Sequence, residues 1–90
     1  MPRGRCRRRI RFTPNILYFK PAGVGISQLE EVILLKDELE AIRLKDFENL
    51  EQIECAQKME ISQATLHRTL LGARKKIAEA LIKGKAIRIE

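Results

Sequence analysis

The residues best suited to chemistry in this sequence lie at the start of a predicted helix, directly after Ser62. Gln63 carries an amide that can bond the edge of an adenine, and Arg68 carries a guanidinium that can form two parallel hydrogen bonds to a guanine. Ala64 and His67 fall on the same outward side of that helix. These four residues predict contacts with base edges in the major groove of DNA. The alternative is that they are solvated helix residues.

Hydroxyl and cationic side chains around those positions suit the phosphates of the same duplex. Hydroxyl groups near a helix start, and lysine and arginine side chains, commonly bond phosphate oxygens. The predicted phosphate contacts are Ser62, Thr65, Arg74, Lys75, Lys76, Arg7, Arg8 and Arg9. The last three belong to an arginine-rich segment, residues 1–11, which is expected to be a flexible arm that follows phosphates or enters a minor groove. The simpler alternative is a solvated basic surface and a solvated tail.

Catalytic and metal chemistry find little support in the sequence. No serine or cysteine nucleophile is followed by a plausible base and orienting residue, so the chain is predicted not to be an enzyme. Cys6, Cys55 and His67 are too few and too far apart to supply the four ligands of a closed zinc site. Neither a metal nor a cofactor is therefore expected. Both cysteines are expected to be free thiols in a reducing cytoplasm, with Cys55 buried.

The net charge of +6 is unevenly distributed along the 90 residues. Residues 1–29 contain seven basic and no acidic residues, residues 30–60 have a net charge of −6, and residues 61–90 have a net charge of +5. Basic ends around an acidic middle favour one oriented basic face over a uniformly cationic surface. No apolar run approaches the ~18 residues of a membrane helix, and no secretory signal is evident, so a cytoplasmic protein without a membrane partner is expected.

Capping signals and apolar spacing predict two helices before Ser62. Asp37 and Glu40 form a capping box that opens the first helix, residues 38–47. The second helix is predicted over residues 51–59. Its predicted inward face consists of Ile53, Ala56 and Met59.

A third, longer helix is predicted over residues 63–83. Ser62 is its N-cap, and Lys83 followed by Gly84 gives it the last-turn cation and the glycine typical of a helix end. Its predicted inward stripe consists of Leu66, Leu70, Ala73, Ile77 and Leu81.

The second and third helices match the requirements of a helix-turn-helix. A small residue, Ala56, lies where the helices cross, and Met59 and Ile61 flank the turn. Ser62 caps the following helix, and Leu66 points inward one turn later. This plan places the start of the third helix in a major groove.

Short strands are predicted on both sides of the helical region. Residues 32–35 are an apolar, partly β-branched run, and residues 85–90 alternate in polarity, so the two are expected to pair with each other. The predicted fold is mainly α, with three helices and a small accessory β element. It is a single domain over residues 12–90, with a helix-turn-helix core at 37–83.

The segments around the turn resemble a known class of proteins. LEQIECA at residues 50–56 through ARKKI at 73–77 resembles region four of the sigma-seventy class of transcription initiation factors. Three further segments extend the match: YFKPAG at 18–23, DELEAIRLKD at 37–46 and GKAIRI at 84–89. Together they make nearly the whole chain resemble the prokaryotic domain-of-unknown-function family one-three-four, which is also called uncharacterised protein family two-five-one. This resemblance implies a DNA-binding protein with a sigma-like helix-turn-helix, and it implies no particular DNA target.

Glu60 departs from the sigma-like pattern, which usually has glycine at this turn position. A left-handed backbone costs a non-glycine residue roughly 1–2 kcal/mol. The turn is therefore expected either to be reshaped or to be held in a strained form by the core.

These observations together predict a transcriptional regulator that binds double-stranded DNA. A homodimer would supply two half-sites and so improve specificity. One rival is a protein-interaction adaptor, with RNA polymerase or another protein as partner to the acidic residues 30–60. The second rival is an RNA-binding protein that uses the arginine-rich arm, although the sequence lacks a recognisable set of stacking aromatic residues.

Overall fold

The computed structural model of this chain describes residues 18–25 and 28–90. The elements are β1 (Tyr18–Phe19), β2 (Glu31–Leu34), α1 (Lys36–Ile42), a π-helical segment (Arg43–Phe47), α2 (Gln52–Met59), α3 (Gln63–Lys83) and β3 (Ala86–Ile89). The described residues are mainly helical with one small sheet, which confirms the predicted fold class. The predicted arm, residues 1–11, lies outside the described residues.

The sheet has the strand order β1-β3-β2, so the C-terminal strand is central. Strand β2 runs parallel to β3, in a register that extends from Glu31 opposite Ala86 to Leu34 opposite Ile89. Strand β1 pairs with the other side of β3 in the antiparallel sense. The predicted pairing of the two short strands is confirmed. Because parallel strands need a long crossover connection, the three helices together form the connection between β2 and β3.

Helix α1 begins at Lys36, earlier than predicted. Its N-cap is Leu35, whose backbone N–H donates a 2.9 Å hydrogen bond to Oε1 of Glu38. The predicted capping box of Asp37 and Glu40 is therefore wrong, because β2 leads directly into the helix and leaves Leu35 as the extended residue before it. The π-helical segment continues α1 to the predicted end of the first helix.

The main core lies between α1, the π-helical segment, α2 and the first half of α3. Its buried residues are Ala41, Leu44, Cys55, Ala56, Met59, Leu66 and Leu70. The predicted inner face of α2 is confirmed at Ala56 and Met59 but is wrong at Ile53, which is 51% exposed. The buried face is centred on Cys55, Ala56 and Met59, so the helical rotation of ~100° per residue carries Ile53 to its margin. The expected burial of Cys55 is confirmed.

The turn between α2 and α3 keeps a left-handed residue although that residue is not glycine. Glu60 has φ 60° and ψ 44°. The N–H of Ile61 bonds the carbonyl oxygen of Ala56 at 3.0 Å, which is typical of a helix that ends in a left-handed residue. The side chain of Ser62 then accepts the N–H of Thr65 at 3.0 Å, as its predicted role of N-cap requires.

Replacing Glu60 with glycine is expected to raise the free energy of unfolding by up to ~1 kcal/mol. Glycine adopts a left-handed backbone without the steric cost of ~1–2 kcal/mol that a side chain incurs. Part of that gain is offset because glycine loses more conformational entropy on folding. Urea unfolding followed by circular dichroism would measure the change. Asn49→Gly is the matched control, because Asn49 is also left-handed, with φ 62°, but asparagine tolerates this conformation. An equal gain at both positions would contradict strain at Glu60.

The inward stripe of α3 rotates out of the core near its end. Leu66, Leu70 and Ala73 are buried as predicted, whereas Leu81 is 75% exposed and Ala80 is 3% exposed. Each step of four residues turns the helix ~40° beyond a full turn. Two successive steps of four therefore carry residue 81 away from the face that contains Ala73, while residue 80 stays on it. The prediction that Leu81 faces inward is wrong for this reason.

Candidate nucleic-acid interface

The first turns of α3 present the four predicted base-edge residues to solvent. Gln63, Ala64, His67 and Arg68 are exposed, while Leu66 between them is fully buried. The core holds α3 through this leucine, so the opposite side of the helix must face outward. We call the four exposed residues the recognition surface.

A chain of hydrogen bonds links the N-cap of α3 to the recognition surface. The Ser62 hydroxyl accepts the backbone N–H of Thr65 at 3.0 Å and donates to Oγ1 of Thr65 at 2.9 Å. The same Oγ1 accepts a hydrogen bond from Nη2 of Arg68 at 3.3 Å. Both predicted phosphate-binding hydroxyls therefore lie beside the arginine that is predicted to contact a base.

Two of the three basic residues predicted further along α3 are paired within the fold. Arg74 donates from Nε and Nη2 to the two carboxylate oxygens of Asp46, at 3.0 and 2.6 Å. These hydrogen bonds raise the pKa of Arg74 and lower the pKa of Asp46. Nζ of Lys76 lies 2.8 Å from Oε1 of Glu38. Lys75 is exposed and makes no ion pair with the described residues, so its ammonium group is the best placed of the three for a phosphate.

Strand β1 fixes the point at which the preceding chain joins the fold. The Tyr18 hydroxyl donates to Oε2 of Glu31 at 2.7 Å, and Arg88 donates to both oxygens of that carboxylate at 3.0 Å. The bonds from Arg88 and Tyr18 lower the pKa of Glu31, and the bond to Glu31 raises the pKa of Tyr18. Phe19 and Ala80 line one groove, so β1 lies beside the last turns of α3. Ala80 lies ~18–26 Å along α3 from the residues of the recognition surface, at a rise of ~1.5 Å per residue.

Two of the acidic residues predicted to face a protein partner lie at the start of α2. Glu51 and Glu54 are exposed, and Oε1 of Glu54 accepts the backbone N–H of Glu51 at 3.4 Å. Ile53 lies between them in sequence and is 51% exposed, and Phe47 in the preceding segment is 83% exposed. The exposure of Ile53 was not predicted, because helical spacing placed that residue on the inward face of α2.

Residues 18–25 and 28–90 contain no helix that is both long and apolar enough to cross a membrane. In the same part of the chain, no three histidine, cysteine, aspartate or glutamate residues are grouped so that they could hold a metal ion.

Comparison with known proteins places the sequence beside proteins of one family. The family model described as "Protein of unknown function DUF134" matches residues 1–90. A UPF0251 protein of Caldanaerobacter subterraneus subsp. tengcongensis is 58% identical over 90 residues, all of this chain and 76% of the relative. A UPF0251 protein of Thermoanaerobacter pseudethanolicus is 56% identical over 90 residues, with the same coverage of each protein.

A third relative is longer than the other two. A UPF0251 protein of Moorella thermoacetica is 56% identical over 90 residues, which are the whole of this chain but 60% of the relative. No solved structure matches the sequence.

Proposed function

The chain belongs to the DUF134 family of proteins of unknown function, and we propose that this member is a transcriptional regulator that binds double-stranded DNA. The observation that carries the proposal is the recognition surface, in which four exposed residues cluster at the start of a long helix. The preceding helix α2 and the left-handed turn support that end of α3. A protein of this design inserts the start of the second helix into a major groove.

The recognition surface supplies side chains for reading bases. The guanidinium of Arg68 bonds the O6 and N7 atoms of a guanine, and the amide of Gln63 bonds an adenine. His67 adds a polar contact, and the small side chain of Ala64 permits close approach of the helix. A B-DNA major groove ~12 Å wide admits one α-helix, which is consistent with an exposed helix end.

Phosphate contacts orient the helix in the groove. Lys75 lies farther along α3 with its ammonium group unpaired by the described residues, and the hydroxyl of Ser62 lies at the N-cap of α3, beside the recognition surface. Arg74 and Lys76 contribute mainly by holding α3 in place. Arg74 pairs with Asp46 of the π-helical segment, and Lys76 pairs with Glu38 of α1. The arginine-rich arm, residues 1–11, lies outside the described residues and would add further phosphate contacts.

Fluorescence anisotropy on random-sequence and selected duplexes across a salt series tests this function. The unmodified protein is expected to bind with a log–log salt slope of about −0.9 per phosphate neutralised. Arg68→Ala is expected to weaken binding to a selected site by ~1–3 kcal/mol, which is the discrimination of one bidentate base contact. Lys75→Ala and deletion of residues 1–9 are expected to weaken binding to all duplexes and to reduce the salt slope.

Lys83→Ala is the matched control for these variants. It removes one exposed cation from the opposite end of the same helix, so its effect on a selected site should be much smaller than that of Arg68→Ala. Absence of duplex binding at low salt would refute the proposed function. Equal losses for Lys83→Ala and Arg68→Ala would refute the assignment of base reading to the recognition surface. Preference for structured RNA in a competition assay would favour RNA as the ligand.

A protein-interaction adaptor is the second candidate function. The observation that favours it is the exposure of Phe47 and Ile53, together with exposed carboxylates at Glu51 and Glu54. Reversing the charge at Glu51 and Glu54 would abolish capture of purified RNA polymerase in this case and leave DNA affinity unchanged. Retained capture by the charge-reversed protein would exclude this surface as the polymerase contact.

A further inference from the structure

The side chain of Arg68 is oriented within the protein before any ligand binds. Its Nη2 donates to Oγ1 of Thr65 at 3.3 Å, one helical turn towards the N-terminus of α3. This contact directs the guanidinium along the helix towards the end that the proposed function places in the groove. The guanidinium has five N–H donors, so most of them stay available for a ligand.

Thr65 is itself held in place, so it can act as a fixed support for the longer side chain. Its backbone N–H and its Oγ1 are both bonded to the Ser62 hydroxyl, at 3.0 and 2.9 Å. Threonine is branched at Cβ and has few side-chain rotamers. Thr65 is also partly buried, whereas Arg68 is exposed.

We propose that Thr65 is a positioning residue that sets the base preference of the recognition surface by holding Arg68 for a guanine edge. This inference rests on the proposed DNA-binding function and replaces the phosphate contact that the sequence predicts for Thr65. An arginine that is already oriented loses less rotamer freedom when it binds. A bidentate guanine contact also requires a defined direction of the guanidinium plane.

The test measures base preference rather than overall affinity. Selection from random duplexes with the unmodified protein gives a preferred site, and Arg68→Ala identifies the base pair at which the preference depends on Arg68. Thr65→Val keeps the branched shape and removes the hydroxyl. It is expected to reduce the preference at that base pair by about three- to tenfold, as loss of one hydrogen bond would. The affinity for random duplex and the salt slope are expected to stay unchanged.

Three further variants separate positioning from a general effect on the helix. Thr65→Ser restores the acceptor and should restore the base preference. Thr65→Val added to Arg68→Ala should cause no further loss, because Thr65 acts through Arg68. Thr69→Val is the matched control. It makes the same substitution one turn later on α3, where the hydroxyl bonds the backbone oxygen of Thr65 at 2.9 Å instead of Arg68.

The possible failures are distinguishable from one another. Absence of duplex binding by the unmodified protein refutes the proposed function itself, and the inference falls with it. Thr65→Val could instead weaken binding to the preferred duplex and to random duplexes equally, and do so in the Arg68→Ala background as well. Thr65 would then be a phosphate contact, and the inference would be wrong. Equal loss of preference in Thr69→Val and Thr65→Val would mean that a change in the helix is responsible, and would also overturn the inference.

Discussion

Replacing Leu66 with alanine is expected to lower the free energy of unfolding by about 3 kcal/mol. The Leu66 side chain is 0% exposed and lies in the core that joins α1, α2 and α3. Alanine would leave a cavity at the point where α3 is held with its recognition surface outward. Urea unfolding followed by far-ultraviolet circular dichroism would measure the loss, since the chain has no tryptophan to report by fluorescence.

Leu81→Ala is the matched control, because both leucines belong to the inward stripe predicted for the same helix. Leu81 is 75% exposed, and a substitution at such a surface position is expected to change the free energy of unfolding by no more than ~0.5 kcal/mol. A similar loss at both positions would contradict the rotation of the stripe out of the core. A loss below ~1 kcal/mol for Leu66→Ala would contradict its place in the core.

The sequence predicted the fold best where the signals are local. The bounds of α3 follow from Ser62 as an oxygen-bearing N-cap and from Gly84, whose φ of 69° suits a glycine at a helix end. The pairing of the two short strands could be predicted because neither strand is stable without a hydrogen-bonded neighbour. The start of α1 was not predicted because β2 leads directly into the helix, so the N-cap is the apolar residue Leu35 and no polar N-cap side chain marks the position. The backbone N–H of Leu35 donates to Oε1 of Glu38 instead.

The exposed residues of the candidate site were predictable from helical periodicity, but their ion pairs were not. Residues on the side of α3 opposite Leu66 must face outward, which identifies Arg68 and its neighbours. Arg74 and Lys76 were assigned to the same basic face, yet their partners lie 28 and 38 residues away in the sequence. Pairing over that distance depends on how α3 packs against α1 and the π-helical segment, and no local pattern encodes it.

Glu40→Gln is expected to lower the free energy of unfolding by ~2–3 kcal/mol, somewhat below the cost of breaking a fully buried ion pair. Glu40 is 2% exposed, and its two carboxylate oxygens accept hydrogen bonds from Nε and Nη2 of Arg43 at 3.1 and 2.9 Å. This pairing raises the pKa of Arg43. Glutamine keeps the shape but places an amide N–H₂ against a guanidinium donor, so a mostly buried cation loses its main partner.

Glu48→Gln separates this buried pair from an ordinary surface contact of the same arginine. Glu48 also forms an ion pair with Arg43, but the Glu48 side chain is 40% exposed, so its loss is expected to cost no more than ~1 kcal/mol. Urea unfolding of both variants at neutral pH gives the comparison. If Glu40→Gln costs no more than Glu48→Gln, the buried carboxylate contributes no more than a surface one. A clearly larger cost at Glu40 would show that the residue first assigned to a helix cap instead holds the end of α1 to the π-helical segment that supports α3.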